Sequence, residues 1–260
     1  MTIRLSTGLV NAMAQGLGFA GALNMGHIKV FSGAQPANAD AAETGTVLGI
    51  FTRSSGTLTK ETRATGTVTI TGVGGGSINS ITVGGLNIIP DGAIAVEGGE
   101  TTSTMATKLA AAINRNGIME ASANAAVVTI KGRPGTGVTT AAVSGSLTTV
   151  TASYVNMGSG VAGVAPVNGL NLASPSDGII LKPSNQVWSF SGLAVGTAGW
   201  ARFYSSDNAD AGGLLTAAPW YPRMDGSCGV GSGDFQMSTI SITASLPVTM
   251  DTFQWTQPKS

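Results

Sequence analysis

His27 and Cys228 are the chain's one imidazole and one thiol, and metal ligation or nucleophilic chemistry of the His/Cys kind has only them to draw on. A tetrahedral zinc site draws on several His or Cys side chains, and one of each does not supply it. A serine nucleophile of the hydrolase type sits in a Gly-x-Ser-x-Gly elbow with a histidine beside it. No such pentapeptide occurs, so His27 reads as a structural or interface residue. Cys228, in Gly226-Ser227-Cys228-Gly229, reads as a small neutral residue of a turn.

Three further stretches carry the outline of a binding motif. Gly132-Arg133-Pro134-Gly135-Thr136-Gly137-Val138-Thr139 has the glycine spacing of a phosphate loop, but Val138 stands where a lysine must neutralise the phosphates. Gly72-Val73-Gly74-Gly75-Gly76 follows a strand, as a dinucleotide fingerprint does. A second strand comes next instead of the helix whose N-terminus would hold a pyrophosphate, so a hairpin turn is expected. The acids around Asp207 and Asp210, and Asp225 with Asp234, lack the alternating oxygens and closing glutamate of a calcium loop; they read as turn residues. No cofactor and no metal are expected.

The composition says the same. Thirteen acidic and thirteen basic residues make the chain 10% charged, against roughly 25% in an average domain. Proton transfer and nucleophilic attack need the groups that are scarce here, so an enzyme is not expected, and a carboxylate pair for glycoside cleavage has few candidates. Balanced, scattered charges give no basic stripe for nucleic acid. No stretch approaches the roughly 20 apolar residues that span a bilayer. Zero net charge favours association, and copies of the chain itself are the first partners expected.

The elements that would carry these residues are mostly short strands. Ser6 can cap a helix over about 6–18, in which Leu9, Met13 and Leu17 recur at helical spacing. Asn11, Gln15 and glycines interrupt its apolar run, so it reads as a retained helix and not a cleaved leader. Strands are expected at 27–32 and 47–52. From about 57 to 159 aromatics thin out, and the pattern gives strands at 66–71 and 78–89. A helix at 103–115 follows, capped by Thr102 or Ser103 and ended by Asn116-Gly117, and then strands at 125–131 and 139–151. Met105, Leu109, Ala112 and Ile113 form the apolar stripe of that helix. All four tryptophans lie beyond, among expected strands at 178–181, 187–190, 200–204, 235–242 and 248–255. Short strands with frequent turn signals indicate an antiparallel sandwich. The expected fold is therefore mainly β: a discontinuous antiparallel β-sandwich built from 1–56 and 160–260, with a short N-terminal helix and an inserted β-β-α-β module at 57–159.

Several segments of the outer part carry a resemblance. They are Ile3-Arg4-Leu5-Ser6-Thr7-Gly8-Leu9, residues 28–42, Gly45-Thr46-Val47-Leu48, residues 196–203, Arg223-Met224-Asp225-Gly226-Ser227, and Val248-Thr249-Met250-Asp251-Thr252-Phe253. As a set, spanning roughly 1–55 and 165–258, they resemble a family of tailed-bacteriophage virion proteins, most of which carry no assigned role. The middle region is similar to small β-α-β modules of phage tail and adsorption proteins. Compact members of the family lack this insertion, and no catalytic residues come with them.

The resemblance implies a non-enzymatic structural protein of the virion, assembled in the host cytoplasm, with its own copies and other virion proteins as partners. A tail or neck station is expected first, with capsid decoration as the alternative. Leu9, Met13 and Leu17 are the expected assembly contact. A further alternative is a receptor- or glycan-binding adhesin presenting Trp220 and Tyr221, flanked by Pro219 and Pro222, to a host-surface receptor.

Overall fold

The computed structural model describes residues 3–14, 16–116, 118–135, 140–207 and 222–257. The chain is mainly β. It begins with β1 (Arg4–Leu5), α1 (Thr7–Ala14), α2 (Gly18–Leu23), β2 (His27–Ser32) and β3 (Val47–Arg53). Then come β4 (Thr65–Val83), β5 (Leu86–Asn87), β6 (Ile94–Ala95), α3 (Thr102–Asn116), β7 (Glu120–Asn124), β8 (Val127–Lys131) and β9 (Val143–Val155). The remainder is β10 (Ile179–Leu181), β11 (Trp188–Ser191), β12 (Gly196–Tyr204), β13 (Arg223–Gly229), β14 (Phe235–Met237), β15 (Ser241–Ile242), β16 (Pro247–Thr252) and β17 (Gln254–Thr256). Two compact units result: Met1–Glu61 with Pro166–Ser260, and Thr62–Ala165.

In the first unit the strands close on themselves. The order β13-β14-β16-β11-β3-β2-β12 returns to β13, because β12 pairs with β2 along one edge and with β13 along the other. This seven-strand ring corrects the expected sandwich. The difference lies in Arg223–Gly229, whose glycines suggested a turn. It is a strand, antiparallel to β12 and parallel to β14 through Cys228↔Phe235 and Gly229↔Gln236. With that strand in place, no two-sheet arrangement is needed, and closure removes the edges a sandwich would have to protect.

The ring is filled by aromatics. Phe253 lies 5.6, 5.7 and 5.8 Å from the rings of Trp188, Phe203 and Phe235, separations at which ring pairs attract beyond their area burial. The Trp188 indole N–H is satisfied by Gln186 Oε1 at 2.7 Å. β3 approaches β11 so closely that a Cβ on Gly49 would fall 2.1 Å from the Phe190 ring, so only glycine fits there.

The expected helix over 6–18 is two helices. Ser6 does cap the first, its Oγ accepting from Leu9 N at 3.1 Å. Gly16 at φ +83° and Gly18 at φ +70° then break the run and re-aim the chain into α2, a conformation that side chains with a Cβ rarely tolerate.

The second unit is a sheet in the order β5-β4-β8-β7, with β6 and β9 also paired to β4. α3 supplies Met105, Leu109, Ala112 and Ile113 to a core shared with Val68, Ile70, Ile81, Val128 and Ile130. Thr101 caps this helix, not Thr102 or Ser103: its Oγ1 accepts from Thr104 N at 3.3 Å while Thr104 Oγ1 accepts from Thr101 N at 2.8 Å. The helix ends at Asn116, and Gly117 lies outside the described residues. The glycine run at 72–76 is no hairpin turn. β4 continues through it as one strand of 19 residues, bulged against β9 between Val73 and Ser77. Gly76 sits there at φ +80°, with the space for a Cβ taken by Thr148 O at 2.1 Å.

Candidate functional site

Along β12, Ala201 and Phe203 face the core of the ring. Trp200, Arg202 and Tyr204 alternate with them and so belong to the outer face, yet all three are buried. The β2–β3 connection at 33–46 lies across them. Ala41 O accepts from Arg202 Nη1 at 2.9 Å, and Glu43 Oε1 accepts from the Tyr204 hydroxyl and from Lys29 Nζ, the latter at 3.0 Å. Under this strap Phe31 stacks on Trp200 at 4.3 Å and His27 on Tyr204 at 5.1 Å.

Arg202 and Asp225 form the centre. Strand register places them opposite each other, and the pair is bidentate: Nε to Oδ1 at 2.6 Å and Nη2 to Oδ2 at 2.7 Å. Both side chains are fully buried. The fork geometry matches the carboxylate's two oxygens, and the Arg202 guanidinium also lies 5.3 Å from the Trp200 ring centre. Burial pushes the Asp225 carboxyl up, and the hydrogen bonds and charge of Arg202 pull against that rise. Burial, with Arg202 close by, holds the Arg223 guanidinium below its ordinary value.

The N-terminal segment is tied into the same cluster. Arg4 stands opposite Asp225 in the β1–β13 register. Ser6 N donates to Arg223 O at 3.0 Å, and Ser6 Oγ accepts from Arg223 N at 2.9 Å. Asp40 Oδ2 accepts from Thr7 N and Thr7 Oγ1 at 3.0 and 2.7 Å, and its Oδ1 lies 3.7 Å from Arg223 Nη2. A carboxylate at a helix N-terminus is well placed electrostatically. Arg202, Asp225, Asp40 and Lys29 are thus engaged with strap, helix and ring, whereas Arg4 Nη1 and Arg223 Nε and Nη2 are buried without a hydrogen-bond partner.

The sequence did not pair Arg202 with Asp225, which it offered only as a turn acid. A signal was present: an arginine between two aromatics on one face of a strand, Trp200-x-Arg202-x-Tyr204, is apolar enough around the charge to suggest a covered face. Asp225 and Asp234, read as turn acids, are both engaged; Asp234 Oδ2 accepts from Ser227 N and Oγ at 2.8 Å each. Among the described residues no group of three or more His, Cys, Asp and Glu could hold a metal ion. Cys228 lies in β13, and burial, reinforced by Asp234, pushes its thiol up to about 12.

The expected contact residues do not share one surface. Leu9 is wholly buried in the unit's own core, and Met13 and Leu17 pack partly buried against that core. Leu9 is thus unavailable to a neighbour. Trp220 and Tyr221 lie outside the described residues. Large apolar side chains are exposed elsewhere: Leu193 is 62%, Val195 74% and Leu246 56% exposed. Their loops are fixed to each other by Gly192 N to Leu246 O at 2.9 Å and Ser245 N to Gly192 O at 2.7 Å. Leu193 also forms the lip of a cleft of about 270 Å³ lined by Ile50, Leu58 and Phe190.

Two other clefts carry a single carboxylate each, Asp177 in one and Glu120 in the other. In the second unit, Arg63 Nη1 donates to Glu120 Oε2 at 2.5 Å and to Gly132 O at 3.2 Å. Nearby Arg133 is buried, and desolvation draws its guanidinium down to about 10 against the attraction of Glu120. No helix among the described residues is long and apolar enough to cross a membrane. No protein-family model matches the chain, and no curated protein matches it.

Proposed function

We propose that this chain is a non-enzymatic structural component of a tailed-phage particle, a tail or neck protein that works by subunit–subunit contact. The observation that carries the reading is the pairing of two opposites in the first unit. Its buried Arg202–Asp225 pair is spent on holding the chain together, whereas Leu193, Val195 and Leu246 stand in solvent on neighbouring fixed loops beside a cleft that includes Ile50, Leu58 and Phe190. Exposed apolar clusters of this kind mark surfaces that another protein covers. Few long charged side chains also means little rotamer entropy to lose on packing. The resemblance of the outer segments to virion proteins supplies the setting.

Purified particles from a producing strain, analysed by quantitative mass spectrometry, test this. The chain is expected at a few to dozens of copies per particle, and Leu193→Glu with Leu246→Glu is expected to lower that count at least tenfold while leaving the purified chain folded. Absence of the unaltered chain from particles overturns the reading. Hundreds of copies would move the station from tail or neck to capsid decoration.

A further inference from the structure

Two rows of side chains cross the outer face of the ring beneath the strap. Arg4, Asp225, Arg202 and Lys29 stand side by side across β1, β13, β12 and β2. Arg223, Tyr204 and His27 form the next row across β13, β12 and β2. The strap at 33–46 adds Asp40 and Glu43 and no cation. The four lysine and arginine side chains of these rows therefore meet three carboxylates, a surplus of one positive charge. Its place can be found from the hydrogen bonds. Asp225 gives one oxygen each to Nε and Nη2 of Arg202. Glu43 Oε1 accepts from Lys29 and Tyr204. Asp40 accepts from the Thr7 N–H and hydroxyl, and at 3.7 Å from Arg223 Nη2 it is too far for a hydrogen bond.

What remains is Arg223 Nε and Nη2 and Arg4 Nη1, three buried donors without an acceptor. Arg223 is only 3% exposed. Buried polar groups are nearly always paired, and an unpaired charged donor costs more than a neutral one. Which atoms these are matters. Nε and Nη2 make up one edge of the guanidinium, the same edge with which Arg202 grips Asp225. Arg223 turns that fork on nothing the chain supplies. Arg4 stands opposite Asp225, two residues beyond Arg223, and so is the diagonal neighbour of Arg223 across the two strands. Long side chains reach across such a diagonal.

We infer that the Nε–Nη2 edge of Arg223, with Arg4 Nη1 as a third donor, binds a carboxylate from outside the chain. A planar anion with two oxygens matches the fork, and a single negative charge matches the surplus of one. Entry is by way of β1, a two-residue strand in which Arg4 is half-buried. The bound anion would relieve the desolvated Arg223 of a cost that Arg202, close by and of like charge, adds to.

Proton–nitrogen NMR of the full chain reads the Arg223 Nε–H directly, the signal being identified by its disappearance in Arg223→Lys. Formate is the probe, added at pH 7 and constant ionic strength so that screening does not change. So small a ligand is limited to a Kd of about a millimolar or weaker. The signal is expected to shift saturably with formate and to stay in place with formamide, its neutral isostere, and with chloride. Arg4→Gln, its fold checked by circular dichroism, removes the third donor and is expected to raise the formate Kd about tenfold. No shift with formate, or the same shift with chloride, overturns the inference. Inorganic phosphate binding more tightly than formate overturns the choice of a carboxylate, and an unchanged Kd in Arg4→Gln overturns the two-arginine site. None of these results touches the assembly reading, which the particle count decides.

Discussion

Arg202 and Asp225 show why buried charge in so charge-poor a chain is a matter of fit. Taking both ions out of water costs several kcal/mol each, and only good geometry with additional hydrogen bonds recovers it; here the bidentate contact and Ala41 O provide them. Removing one member strands the other. Arg202→Met is expected to destabilise the first unit by about 3–5 kcal/mol in urea titration, and Arg202→Met with Asp225→Leu to recover at least half of that. Cys228 gives the pH-dependent counterpart. Its thiol is held up at about 12, so the thiolate fraction near pH 8 is about a thousandfold below that of an ordinary cysteine. Alkylation of the native chain by iodoacetamide is expected to be slow at pH 8, to rise about tenfold per pH unit towards pH 11, and to become fast on unfolding. Rapid labelling of folded protein at pH 8 would contradict this. The sequence hid this neighbourhood because hydrophobic periodicity assigns every other residue of 200–204 to a solvent face. What covers that face is the strap at 33–46, a segment without periodicity of its own.

At the scale of elements, legibility followed locality. The helix expected at 103–115 is Thr102–Asn116, and the strand expected at 27–32 is His27–Ser32, because both are written in spacing along one short window. Their ends were harder to place. Thr101 caps α3 through a reciprocal pair with Thr104, a threonine-for-glutamate version of the capping box. Thr101→Ala is expected to cost about 1 kcal/mol in the second unit's unfolding free energy, with Ser103→Ala near zero. Glycines misled in two places for one reason. A glycine run signals only that the backbone needs room or an unusual φ, and Gly74 to Gly76 and Gly226 to Gly229 meet that need inside strands instead of at their ends. The N-terminal stripe Leu9, Met13 and Leu17 was visible as apolar. Spacing could not say that Leu9 faces its own chain.

For the whole molecule, two cores imply two cooperative transitions. Each unit has its own hydrophobic cluster, and the first holds its connecting strands together through Thr59 N to Val167 O at 3.1 Å and Val167 N to Thr59 O at 3.0 Å. Chain ends so clasped tolerate insertion or removal of what lies between them. Replacing residues 62–165 by a short Gly-Ser linker is expected to leave a chain that unfolds cooperatively at the lower or higher of two midpoints seen by calorimetry in the full chain. A single transition in the full chain that vanishes on deletion would refute the independence of the units. Ring closure itself was beyond sequence reading, since it is a fact about partners: Ser32 meets Ala198, and nothing near either residue announces the other.

The pairing of β3 with β11 has a consequence in time. β3 ends at Arg53 and its ring neighbour β11 begins at Trp188, with the whole second unit between them. At about 5–20 residues per second of synthesis, roughly 7 to 27 seconds separate their emergence from the ribosome. Through that interval the β2–β3 hairpin waits with both flanks bare, while the inserted module already has everything it needs to fold. An early hairpin so placed has to be kept from wrong partners until its late neighbours are made.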